Sequence, residues 1–158
     1  MKLFALISIL FLSACGFSPV YGDRTVQSDL AEIVVSNIPN RSGQIVRNHL
    51  IDTLYRNGAP INAQYELIIA PIIETEVEIG IDQDDEASRA QLRLRTLMQI
   101  RDVSNNTIIL TRSVRATTGY NILDGQFTTF VTKADARNNA LRVLSDNIIT
   151  QLELHFRR

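Results

Sequence analysis

The stretch Gln64-Tyr65-Glu66-Leu67-Ile68-Ile69-Ala70-Pro71-Ile72-Ile73-Glu74-Thr75-Glu76-Val77-Glu78-Ile79 decides how this chain folds. Tyr65, Leu67, Ile69, Ile73, Val77 and Ile79 occupy its odd positions, and Gln64, Glu66, Glu74, Glu76 and Glu78 its even ones. A period of two belongs to a strand with one dry and one wet face, so the odd side chains are expected in the core and the glutamates in water. Pro71 has no amide hydrogen to give to a ladder, which favours a sheet edge or a bulge at that point.

The segments on either side extend the pattern. Residues 80–88, Gly-Ile-Asp-Gln-Asp-Asp-Glu-Ala-Ser, read as an acidic loop, after which Ala90, Leu92, Leu94, Met98 and Ile100 alternate with Arg89, Arg93, Arg95 and Arg101. The two alternating stretches make a long hairpin. Asn105-Asn106 supplies the next turn, and Ile108, Leu110, Val114, Ala116 and Tyr120 mark a further strand, with Arg112 standing on its apolar parity. Upstream, residues 31–36 form a β-branched run that ends at Asn37 and Pro39. From Asn40, the residues Ile45, Val46, His49, Leu50, Leu54 and Tyr55 recur at helical spacing until Asn57-Gly58 and Pro60 stop them. In the last 30 residues Phe130, Ala134, Leu141, Leu144, Ile148, Leu152 and Phe156 recur every three or four positions. Thr132 and Asp135 stand in a capping-box relation near the start of that helix. The order β-α-β-β-β-α predicts an α/β (α+β) two-layer sandwich. Its four-stranded, mostly antiparallel sheet is covered on one face by two helices, in a single domain over residues 31–158.

Composition agrees with one globular unit: 158 residues, 45% hydrophobic and 21% charged, with a formal charge of −1. That balance lacks the basic excess of a nucleic-acid binder. The N-terminus is the most specific local signal. Met1-Lys2 precedes an apolar run from Leu3 to Leu12, then small Ser13 and Ala14, then Cys15, the only cysteine. Such a run is too short to span a bilayer, for which about 20 apolar residues are needed. Residues 1–14 therefore read as a signal peptide. Leu12-Ser13-Ala14-Cys15 resembles the lipobox of bacterial lipoproteins, in which the cysteine is acylated, with chains such as palmitate, and becomes the first mature residue. That resemblance makes Cys15 the lipid attachment site. Gly16 replaces the aspartate that would retain such a lipoprotein in the inner membrane, which points to the periplasmic side of the outer membrane. Residues 15–30, with Gly16, Pro19 and Gly22, read as a lipidated tether.

Catalytic and metal signals are weak. His49 and His155 lie far apart, and the nearest carboxylate to His49 is Asp52, three residues on along its own helix. Asp82, Asp84, Asp85 and Glu86 lack the spacing of a calcium loop and read as a solvated hairpin tip. The sequence thus points to no enzyme, no metal and no cofactor. The arginine stripe has two readings. Arg93 and Arg95 can pair across the hairpin with Glu74, Glu76 and Glu78, or they can hold phosphate groups of an anionic ligand through their planar forks.

Taken together, the opening Cys15-Gly16-Phe17-Ser18-Pro19-Val20-Tyr21-Gly22 and Ala134-Asp135-Ala136-Arg137 of the final helix, followed by Leu141, Leu144, Ile148, Leu152 and the ending His155-Phe156, resemble the LPS-assembly lipoprotein family LptE, of alphaproteobacterial type. The resemblance implies a non-enzymatic subunit of the outer-membrane lipopolysaccharide translocon, lodged in an LptD-type β-barrel. There it would assist barrel assembly and lipopolysaccharide insertion into the outer leaflet. It also implies lipopolysaccharide binding through basic residues near one end of the sheet, for which Arg93 and Arg95 are the candidates by alternation. The rival is a periplasmic adaptor lipoprotein of a lipid ABC transporter, which could share the anchor and a small α/β domain.

Overall fold

Seven elements follow one another in the computed structural model, which describes residues 29–56, 58–81, 87–122 and 125–157. They are β1 (Ile33–Val35), α1 (Asn40–Leu54), β2 (Tyr65–Ile69), β3 (Ile73–Ile81), β4 (Ala87–Asp102), β5 (Thr107–Asn121) and α2 (Gln126–Phe156). The signal peptide, Cys15 and the tether up to residue 28 lie outside the described residues, as do residues 82–86 of the acidic loop.

The long strand β4 carries the sheet. One of its edges pairs along its whole length with β5, from Arg89↔Asn121 to Asp102↔Thr107. The other edge is shared: β2 takes the end from Met98 to Asp102, and β3 the part from Ala87 to Arg95. These pairings are antiparallel, whereas β1 lies parallel to β2 with Ile33 opposite Tyr65 and α1 making the connection. The two-layer sandwich is as expected, with five strands in place of four, because the stretch from 64 to 79 is broken in two.

The break reverses the faces. Ile69 lies opposite Met98 and Ile73 opposite Arg95, so one strand advances four residues while its partner advances three. One extra residue in a strand moves every later side chain to the other face. Before Pro71 the odd residues Leu67 and Ile69 are buried beside Ile100 and Met98. Beyond it Glu74 and Glu76 lie opposite Leu94 and Leu92, on the side of the helices. Ile73 and Ile79 stand on the open side, 53% and 42% exposed. The expected burial of Ile73, Val77 and Ile79, and the expected place of Glu74, Glu76 and Glu78 on the face away from the core, are thereby corrected, while Glu66, before the bulge, stands on the open side as expected. The proline's missing donor is the local reason for the bulge.

The other alternations hold with two exceptions. Ala90, Leu92, Leu94, Met98 and Ile100 are buried, as are Leu110, Val114, Ala116 and Tyr120 on β5. A second bulge, at Ile100/Arg101, puts Ile108 opposite Arg101 on the open face, and it is exposed. Arg112 sits opposite Met98 yet stays exposed, its guanidinium turned back to the Thr111 carbonyl at 3.2 Å. Asn106, with φ of 58°, makes the left-handed step of the turn, a conformation that asparagine tolerates. Asn105 accepts the Thr107 amide at 3.0 Å beside it.

The helices close the dry face. Val46 and Leu50 of α1 and Ala140, Leu141, Leu144, Ile148 and Leu152 of α2 join the strand residues in one core. Gly43 lets α1 approach the chain before it, because a Cβ there would fall 2.6 Å from the Ile38 side chain and 2.9 Å from its carbonyl. In α2 the first buried side chain is Ala136, so the leading turns, with Phe130 70% exposed, overhang the core. Phe130 is thus no part of the buried stripe. The helix starts at Gln126 after Gly125, without a side-chain cap. Thr132 bonds the Thr129 carbonyl at 3.0 Å and the Asn121 carbonyl at 3.3 Å, so the expected capping box is absent.

Candidate functional site

The open face of the hairpin brings charge and hydrocarbon together. Its rows across β3, β4 and β5 are Ile79-Arg89-Asn121, Val77-Gln91-Gly119, Thr75-Arg93-Thr117 and Ile73-Arg95-Arg115. Leu97 opposite Ser113 continues the face. A column of aliphatic side chains on the edge strand therefore runs beside a column of arginines on β4. Arg89, Arg93, Arg95 and Arg115 are exposed, and none of them has an acidic partner among the described residues. The Arg93 guanidinium is steadied by Gln91 at 2.7 Å. The bulge opens a hollow of about 290 Å³ on this face, walled by Pro71, Ile73, Arg95, Leu97 and Ser113.

Glu74 and Glu76, two of the glutamates that could pair with these arginines, are engaged elsewhere. Glu74 accepts Arg137 of α2 at 2.8 Å and the Ser42 hydroxyl of α1 at 2.7 Å. Glu76 accepts Lys133 of α2 and the Tyr120 hydroxyl of β5. Two residues along a strand rise about 6.7 Å and four along a helix about 6 Å, so Glu74 and Glu76 meet Arg137 and Lys133 as a matched pair of pairs. The hydrogen bond from Lys133, then that from Tyr120, holds the Glu76 carboxyl below its ordinary value. Burial, then donation to Glu76, pushes the Tyr120 phenol up to about 12. The pairing of Glu74, Glu76 and Glu78 with Arg93 and Arg95 across the hairpin does not occur, since the bulge puts the two sets on opposite faces.

Of the four arginines in the β4 stripe, Arg101 alone is neutralised among the described residues. Its Nε lies 3.0 Å from Glu66, which also accepts the Ser36 hydroxyl. The Ser36 hydrogen bond, then Arg101, keeps the Glu66 carboxyl low. Arg93 and Arg95 thus share one exposed face, as expected, and the structure adds Arg115 and the column Ile73, Val77 and Ile79. Arg115 was legible as an arginine off the apolar parity of its strand. The aliphatic column was hidden by the one-residue bulge.

Other candidates are scattered. His49 is a half-buried boundary residue of α1, and His155 lies at the end of α2 against Phe156, ring centroids 5.1 Å apart. Among the described residues no three His, Cys, Asp or Glu stand close enough to hold a metal ion. Among them, too, no helix is long and apolar enough to cross a membrane.

Solved structures of bacterial lipoproteins share this fold. A Caulobacter crescentus CB15 protein described as a lipoprotein superposes with a TM-score of 0.63 at 20% identity, covering 83% of this chain and 95% of its own. The rare lipoprotein B of Shewanella oneidensis gives 0.61 at 9% identity, with 80% and 97% covered. A minor lipoprotein of Acinetobacter baumannii gives 0.60 at 16%, with 79% and 92% covered. At these identities the likeness is one of fold. No family model matches the chain, and no curated relative matches its sequence.

Proposed function

We propose that the chain is a lipid-anchored, non-enzymatic outer-membrane subunit of the lipopolysaccharide translocon, of LptE type. It would be lodged in an LptD-type β-barrel, assisting the barrel's assembly and the insertion of lipopolysaccharide into the outer leaflet. The observation that carries this reading is the open sheet face. Lipopolysaccharide joins phosphate groups to acyl chains, and the face sets Arg89, Arg93, Arg95 and Arg115, which have no acidic partner among the described residues, beside Ile73, Val77, Ile79 and Leu97. Guanidinium forks suit phosphate oxygens, and the neighbouring aliphatic column suits hydrocarbon. The polar rest of the face suits the watery lumen of a barrel. The lipobox at Leu12-Ser13-Ala14-Cys15 and the names of the lipoproteins that share the fold support membrane attachment through Cys15.

Two measurements test it. The protein, extracted from outer membranes in detergent, is expected to retain a β-barrel partner; retention of an inner-membrane transporter instead would favour the adaptor role. Replacing Arg93 and Arg95 together by Glu should weaken capture of purified lipopolysaccharide, and for the unmodified protein capture should fall with added salt. The melting temperature should hardly move, because these side chains are exposed and pair with no carboxylate among the described residues. Unchanged capture would remove the two arginines from the site.

A further inference from the structure

Aliphatic side chains from separate segments gather at the end of the sandwich where β4 turns into β5. Ile33, Tyr65, Asp102 and Thr107 form one row across β1, β2, β4 and β5. Just outside that row the Gln64 amide donates to the Glu32 carbonyl at 3.0 Å and the Val103 amide to the Gln64 carbonyl at 2.9 Å. The segments thus sewn together leave Ile61 96% and Val103 51% exposed, with Ile108 and Ile109 exposed beside them. This end is opposite the arginine-bearing hairpin half.

The described chain begins at this same end, since Asp29 accepts the Glu32 amide at 3.2 Å. Cys15 precedes Asp29 by fourteen residues, a span that reaches about 50 Å when fully extended. The sixteen residues of β4 rise about 53 Å on their own. A lipid on Cys15 therefore holds the aliphatic end near the bilayer at every shorter extension, and even at full stretch it barely lets the opposite end touch. We infer that the anchored protein, before a partner takes it up, stands end-on on the bilayer with Ile61, Val103, Ile108 and Ile109 seated among the lipids. The inference rests on lipid attachment at Cys15. Asp29, Glu32 and Asp102 share this end with Arg101, which Glu66 neutralises, and with Arg157, which follows the Phe156 ring packed on Tyr65, so the seating rests on the aliphatic side chains and not on the charge of the lipid.

The test uses the acylated full-length protein in vesicles of phosphatidylcholine and phosphatidylethanolamine. Acylation occupies the Cys15 sulfur, so a single introduced cysteine, Ile61→Cys, Val103→Cys or Thr128→Cys, takes an environment-sensitive fluorophore alone. Lipids with a quencher just below the headgroups should quench the probe at 61 and 103 strongly and the probe at 128, near the start of α2, hardly at all. Equal quenching at all three sites, or none at 61 and 103 while the protein still floats with the vesicles, overturns the end-on arrangement. A protein that does not float overturns the anchor and this inference with it.

Discussion

The hydroxyl of Thr96 donates to the carbonyl of Ala70 at 2.7 Å, across the bulge that divides β2 from β3. Thr96 is buried on the helix side of β4, where its neighbours on the same parity are Leu94 and Met98. The bulge takes the Ala70 carbonyl out of the regular ladder, and Thr96 supplies the donor it needs. Thr96→Val keeps the shape and removes the donor, so it should cost about 1 kcal/mol, whereas Thr96→Ser should restore most of it. Urea melts of the three proteins check this, and an unaltered valine variant would mean that the carbonyl finds water instead.

Acid should loosen the fold through Glu66 and Glu76. Both carboxyls titrate below the ordinary value of 4.5 in the folded chain, so the unfolded chain binds more protons around that pH. Their stabilisation is complete above that value and is lost as pH falls through the folded values. The Tyr120 phenol works at the other extreme. Raised from 10 to about 12, it keeps its proton longer when folded, so its contribution drains away as pH climbs between those values. Melting temperatures across the pH range should decline at both ends, and the acid decline should flatten in the Glu66→Gln, Glu76→Gln double variant.

The reversed faces of β3 predict an unusual tolerance. Ile79→Asn and Ile73→Asn should change stability by less than about 0.5 kcal/mol, since both side chains already meet water. Leu94→Asp, one strand away on the buried face, should cost several kcal/mol, because it places an unpaired charge among Leu, Met and Ile. If the isoleucine variants prove as damaging as Leu94→Asp, the register beyond Pro71 is shifted by one.

Gly43 predicts the opposite of its helix propensity. Alanine in a helix interior is ordinarily better than glycine by about 1 kcal/mol. Here the added methyl would press on the Ile38 side chain at 2.6 Å and on its backbone at 2.9 Å, so Gly43→Ala should destabilise by about 1 to 3 kcal/mol. In an Ile38→Ala background, itself costly because Ile38 is fully buried, the same methyl should cost less, since one of the two clashes is with that side chain. Thermal melts of the single and double variants decide between clash and propensity.

Much of this architecture was legible because hydrophobic period is a local property. Leu92, Leu94, Met98 and Ile100 show their face without reference to any other strand, and Asn105-Asn106 shows its turn. What escaped was non-local. Pro71 marked a defect, but only the pairing with β4 shows that it inserts a single residue and moves Glu74 and Glu76 beneath the helix side. The partners Lys133 and Arg137 lie some sixty residues downstream, and their four-residue spacing acquires meaning only beside the two-residue spacing of the glutamates. The alternation puts Arg93 and Arg95 on an exposed face, as the structure does, but without that register it leaves open a pairing with Glu74 and Glu76 that the opposite faces forbid.

The tight turn at Asn105-Asn106 also sets an order of events. The pairing of β4 with β5 closes the shortest loop in the sheet, whereas β1 can find β2 only after some thirty intervening residues have been gathered in. Closing a short loop forfeits less chain entropy, so this hairpin should form early and serve as the template on which β2 and β1 later dock. Its template strand carries the arginine column, so the exposed guanidinium groups are arrayed before the helices have closed the core behind them.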